Sequence, residues 1–229
     1  YGTVTNFIVT VIQMPLTHIG TTLVGTMFIT ILNSILWFFG IHGTAVIDSF
    51  MGPLWYAARF ANLEVFQQAA DAARQFIVTQ DFANHIIFLG GTGNTLSLAL
   101  IMAFKCRSKR IRSLGRLSFL PGLFNVNEPV IFGLPLVLNP MMAIPFFLVP
   151  AASVLISFCA MYFGLVPYPT GITVPWTMPA PFGGWMMCGD IRGGILQPVI
   201  LLVGGLIYYP FITALDSQYL KEEAEGPKE

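Results

Sequence analysis

Glu128 stands in FNVNEPVIFG, a run apolar enough to lie at membrane depth, where a carboxylate costs roughly 3 kcal/mol or more unless it is paired or hydrated. Asn125 and Asn127 flank it with amides that both donate and accept, and Pro129 follows, freeing a backbone carbonyl. That set can grip hydroxyl groups; it can also serve only to satisfy the carboxylate and shape a turn. His42, in FFGIHG, is the second candidate, because Gly40 and Gly43 permit a sharp turn that leaves the imidazole open to donate and accept. A histidine in apolar surroundings can equally be an ordinary structural residue. GGTGNT (residues 90–95) opens a helical run but lacks the lysine and the preceding strand of a phosphate loop. It reads either as a broken helix whose amides, at Gly91 among others, line a cavity with Asn94, or as glycines that let helices pack closely. Trp176 and Trp185 could stack on a ring face or belong to an interfacial belt. Asp48 is a further polar candidate, Asp190 with Arg192 reads as a local ion pair, and His18 and His85 show no constellation.

Several chemistries lack their residues. Cys106, Cys159 and Cys188 are widely spaced, with no CxxC and no nearby histidine, so neither a metal site nor a disulfide framework is implied and no cofactor is expected. A membrane-embedded hydrolase would need a nucleophile–base pair or metal ligands, and neither HExxH nor GxSxG occurs. With 11 basic and 11 acidic residues, nothing suggests nucleic acid.

The elements that position these residues follow from composition. Of 229 residues 55% are hydrophobic and 10% charged, against about 25% charged in soluble domains, so lipid must cover part of the surface. About 20 apolar residues cross a bilayer. That length predicts spans at 15–41, 83–104, 139–166 and 194–215. Residues 40–55 and 119–138 are apolar but broken by Gly and Pro, and read as re-entrant hairpins beside a wet cavity. Residues 63–80 carry apolar side chains at amphipathic helical spacing, residues 167–192 read as a Pro- and Gly-rich loop, and 216–229 as a solvated, frayed tail. Lys105, Arg107, Lys109, Arg110, Arg112 and Arg116 mark their loop, and with it the tail, as cytoplasmic, or else as a site for a soluble partner. The expected fold is an all-α membrane protein: a polytopic bundle forming one transport domain over 1–229, with two opposed hairpins meeting at the midplane in the manner of an inverted repeat. The chain opens at Tyr1 as if in mid-helix, which predicts earlier spans before it.

WFFGIHG, GGTGNT, FNVNEPVIFGLPLVLNP and VPWTMP, in that order, resemble the IIC permease component of the bacterial phosphoenolpyruvate:sugar phosphotransferase system, in its lactose/cellobiose/diacetylchitobiose branch, C-terminal portion. Val126 stands where isoleucine is common, and Thr92 where serine is common. The resemblance implies a multi-pass protein of the bacterial cell membrane, homodimeric at full length. It implies binding of a β-linked disaccharide and presentation of a hydroxyl to a phosphocysteine on a separate IIB protein, with no phosphocarrier in this chain. By motif, Glu128 would contact the accepting hydroxyl as its base and His42 would hydrogen-bond the same region; Asn125, Asn127, Asn94, Gly91 and Trp176, from the residue chemistry above, are the further candidates for sugar contact. An ion-coupled transporter of a small polar solute is the alternative, although only Glu128 would suit ion coordination.

Overall fold

The computed structural model describes residues 20–69, 72–134 and 136–225, and every regular element among them is helical. The opening stretch, His18 and the first residues of the 15–41 span lie outside that range. The rest of that span becomes α1 (Leu23–Phe38), capped by Thr22, whose Oγ1 accepts from Gly25 N at 3.3 Å. Thr26, Thr30 and Ser34 are buried in this apolar helix, and each hydroxyl donates to the carbonyl four residues back.

A turn at residues 39–42 leads into α2 (Gly43–Gln68). The expected 40–55 hairpin is corrected here: its tip is the turn, and its second limb continues as a 26-residue helix with Pro53 inside. A proline removes one ladder bond, and a long helix that packs well elsewhere survives the loss. The amphipathic helix expected at 63–80 is also absent as such. Residues 63–68 finish α2, Ala69 turns extended, and the described residues from 72 to 79 are not helical. Tertiary bonds override the periodicity. Buried Asn62 accepts from Gln75 N and Phe76 N and donates to Phe76 O and Pro169 O, while Arg74 donates to Tyr168 O.

The 83–104 span is broken. A short α3 (Gln80–Phe82) runs into a π-helical turn (Ala83–Ile87), then a 3₁₀ turn (Thr92–Asn94), then α4 (Leu96–Phe104), with a bend of 49°. The 119–138 segment supplies the end of α5 (Lys109–Leu123), a turn, and α6 (Glu128–Gly133). The 139–166 span is α7 (Pro140–Tyr162). The loop expected at 167–192 contains a short helix, α8 (Phe182–Cys188).

α9 (Ile191–Glu225) runs straight through the region expected to fray. Two tail carboxylates hold it. Asp216 accepts from Arg107 N and Ser108 N, and Glu223 accepts from the Ser108 hydroxyl and from Arg110 N and Lys109 N. These bonds, the Ser108 hydroxyl first, keep the Glu223 carboxyl below its usual range. The tail thus caps the start of α5, binding backbone N–H groups rather than the neighbouring cations.

α7 packs against α1, α9 and the broken segment, and α4 pairs with α5. Two apolar clusters result. One gathers around Trp55, Phe82 and Ile86, the other around Leu98, Phe146 and Tyr208. α7 and α9 are long and apolar enough to cross a membrane, and a third span results if the bent α3–α4 pair counts as one. Leu148, Leu155, Val199, Leu202 and Leu206 face outward from them, an apolar surface suited to lipid.

Candidate functional site

Three turns converge on one cavity of about 340 Å³, within the range that encloses small ligands. The first is the α1–α2 turn. His42 is the N-cap of α2, and its Nδ1 accepts from Ala45 N at 3.2 Å. In the neutral ring this places the proton on Nε2, a donor for a ligand. The imidazole lies against the Trp37 ring at 4.4 Å. Gly43 permits this packing, because a Cβ there would stand 2.5 Å from Asn33 O and 3.0 Å from the Trp37 ring. Trp37 Nε1 donates to Thr44 Oγ1, which also contacts Asn33 Oδ1 and Thr92 Oγ1. The turn is thereby tied to the second element, the glycine-broken segment.

Asn127 and Asn125 join that segment to the third turn. Asn127 Nδ2 donates to Thr92 O and Thr95 Oγ1 at 2.7 and 2.8 Å. Asn125 adopts φ +64°, a conformation asparagine tolerates better than most residues. Its Oδ1 accepts from Gly90 N at 2.6 Å and its Nδ2 donates to Trp176 O. Both asparagines are buried, whereas Glu128, the first residue of α6, is exposed to the cavity. Beyond α6 the chain returns to the first turn, where Leu138 N donates to Phe38 O and Val137 lies beside Gly40. The loop with Trp176 is held at Trp176 by Asn125 and at Val174 by Asp81, whose Oδ1 accepts from Val174 N.

His42, Glu128, Asn125, Asn127, Gly91 and Trp176 all line this cavity. Asn94 does not. It is buried on the other side of the broken segment, where its Nδ2 donates to Ile86 O and Ser153 Oγ, away from the cavity in which the sequence reading places it. Trp185 is also absent from the lining, and Asp190 pairs with Arg192 at 2.9 Å on the surface. Sequence reasoning missed Thr44, Gln80, Asn84, Thr92, Tyr56 and Phe88 as lining residues, and left Asp48 unplaced. The signal for two of them was present: Gln80 and Asn84 are polar residues one helical turn apart at the mouth of an apolar span. Among the described residues no cluster of His, Cys, Asp and Glu could hold a metal.

An open cavity with two carboxylates, one imidazole, several amides and hydroxyls, and the rings of Trp37 and Trp176 suits a ring-shaped ligand rich in hydroxyls. Indoles cover its apolar faces and polar groups take its edges. Residues 1–150 match the family described as Phosphotransferase system, EIIC. The cellobiose-specific EIIC component of Geobacillus stearothermophilus is 42% identical over 223 residues, covering 97% of this chain and 49% of that protein. The lichenan permease IIC component of Bacillus subtilis (strain 168) is 38% identical over 219 residues, covering 95% and 48%. The crystal structure of ChbC, the IIC component of the N,N'-diacetylchitobiose-specific phosphotransferase system, superposes with a TM-score of 0.93 at 39% identity. It covers 100% of this chain and 52% of that one. The chain therefore spans about half the length of the relatives it matches.

Proposed function

This chain belongs to the EIIC family of the phosphotransferase system and is an integral membrane protein, and from that premise we propose that it carries the sugar site of a bacterial cell-membrane permease. The site takes a β-linked disaccharide and presents one hydroxyl to a phosphorylated IIB protein at the cytoplasmic face. The observation that supports this most is the meeting of His42 and Glu128, from two separate turns, at one open cavity lined by two indoles. Of the sugars named for the relatives above, cellobiose and N,N'-diacetylchitobiose are β-linked disaccharides, and lichenan is a β-linked glucan.

In the transfer step the sugar hydroxyl oxygen attacks phosphorus of the IIB phosphocysteine. The new O–P bond forms as the S–P bond breaks, the thiolate leaves, and Glu128 accepts the hydroxyl proton. His42 Nε2–H holds the accepting oxygen. The protein supplies positioning and proton transfer, and the phosphoryl group comes from the partner.

The two turn-bearing segments, at residues 39–42 and 124–127, act as re-entrant hairpin tips related as an inverted repeat, the full permease is a homodimer, and lipid covers α7 and α9. The ion-coupled alternative finds no second carboxylate partnering Glu128 through a hydrogen bond or ion pair among the described residues. Sugar uptake by vesicles carrying the whole permease decides between the two. Uptake is expected to require phosphoenolpyruvate and the cytosolic phosphocarriers, and to persist in an uncoupler. Uptake that collapses with the uncoupler and ignores phosphoenolpyruvate overturns the proposal.

A further inference from the structure

Trp176 stands on a strap, residues 163–181, that joins α7 to α8 without a helix of its own. The residue is 54% exposed, so packing covers less than half of it, and its direction depends on how the backbone is held. The strap is anchored first at Thr170, whose N–H donates to Met187 O at 2.9 Å. Gly171 follows at φ +84°, so close to α2 that a Cβ would stand 2.4 Å from Arg59 O. From there the chain crosses to the cavity, where two bonds fix it. Val174 N donates to Asp81 Oδ1 at 3.3 Å, and Trp176 O accepts from Asn125 Nδ2.

Asn125 belongs to the cavity wall, whereas Asp81 is absent from it. Asp81 is 1% exposed, and its Oδ2 has no hydrogen-bond partner among the described residues. The field of Arg59 on α2 offsets its charge without an ion pair among them. Burying a carboxylate in this way is costly. The hydrogen bond it makes goes to the strap, two residues before the indole. Asp81 also stands between Gln80 and Asn84, which both line the cavity, so the segment that forms one wall also fixes the strap that brings the indole to it. We infer that Asp81 is a positioning residue: by holding Val174 N it sets the direction from which Trp176 meets the sugar, and it raises affinity without touching the ligand. This inference rests on the sugar-binding reading of the cavity. A ring stacked on the sugar is in contact before and during transfer alike, so misplacing it raises KM and leaves turnover at saturating sugar nearly unchanged.

The test is a double-mutant cycle on the purified full-length permease: Asp81→Ala, Trp176→Ala and the pair. The readout is equilibrium binding of the β-disaccharide it holds tightest from a panel of cellobiose, lactose and N,N'-diacetylchitobiose, with thermal melts to confirm folding. Asp81→Ala is expected to weaken binding about 5- to 20-fold where Trp176 is present and less than about twofold where it is absent. Phosphorylation by the same variant should show KM raised by a similar factor and kcat within about twofold. Asp81→Asn keeps an acceptor oxygen for Val174 N and is expected to bind within about threefold of wild type, which decides the matter should Asp81→Ala not fold. Equal losses in the two backgrounds, undiminished binding by a folded Asp81→Ala, or a loss in Asp81→Asn as large as that in Trp176→Ala overturn the positioning role and leave the sugar site intact. Unchanged binding in Trp176→Ala removes the indole as a sugar contact, and the role of Asp81 with it. A wild-type permease that binds none of the panel overturns the sugar-site reading itself.

Discussion

Glu128→Gln is expected to lower sugar phosphorylation by the whole permease about 100- to 10,000-fold, the range lost when a general base is removed, while sugar affinity stays within about tenfold. Glutamine has the length of glutamate and keeps a carbonyl oxygen to accept from a hydroxyl, but it takes up no proton at neutral pH. The loss should therefore fall on turnover. The geometry makes this separation possible because Glu128 carries no structural bond among the described residues. The two buried asparagines beside it hold the turn together. Phosphoryl transfer from phosphorylated IIB to radiolabelled sugar, measured beside binding of the same sugar, reads both quantities. A variant that still phosphorylates at near wild-type rate would remove Glu128 from the base role.

The second large effect is expected at Gly91, whose φ is +86°. An added Cβ would stand 2.2 Å from Asn127 Cγ and 2.4 Å from its Oδ1. Gly91→Ala therefore strains the backbone and pushes away the amide that binds Thr92 O and Thr95 Oγ1. With ψ 179° as well, this is a backbone that glycine almost alone adopts, costing about 1–3 kcal/mol for a residue with a side chain, and unsatisfied buried polar groups add about 1–3 kcal/mol. A destabilisation of about 2–6 kcal/mol is expected, with sugar binding lost in the protein that remains folded. Denaturation monitored in detergent, together with sugar binding, checks both. Wild-type stability and affinity in this variant would show that the turn relaxes freely and that Asn127 does not depend on it.

The site was more legible in the sequence than the elements that carry it, for a physical reason. A carboxylate, an imidazole or paired amides at membrane depth are costly, so Glu128, His42, Asn125 and Asn127 announce themselves against an apolar background. Side-chain direction was not legible. Asn94 has the same composition signal as Asn127, yet the positive φ at Gly93 and Asn94 turns it toward Ile86 and Ser153. Periodicity failed at residues 63–80 because Asn62 binds backbone at Gln75 and Phe76 and at distant Pro169, and so captures the chain leaving α2. It also failed at the tail, where charge suggested fraying. The carboxylates of Asp216 and Glu223 instead cap the start of α5, 108 to 115 residues away in sequence. The 40–55 segment misled in the opposite sense. Gly52 and Pro53 look like breakers, but α2 passes through both. Asp48, Gln80 and Asn84 were individually visible, and only the fold brings them to one wall.

The central claim is that the α1–α2 turn and the turn before α6 build one sugar site. Equilibrium binding of radiolabelled β-disaccharide to the purified full-length permease, wild type beside His42→Ala, tests it most directly, with a thermal melt confirming that the variant is folded. The expected result is one saturable site per chain in the wild type and at least a tenfold weaker one in the variant, since a donor to a polarised oxygen is lost. Undiminished binding by a folded His42→Ala would contradict the claim and leave the imidazole as a helix cap and nothing more.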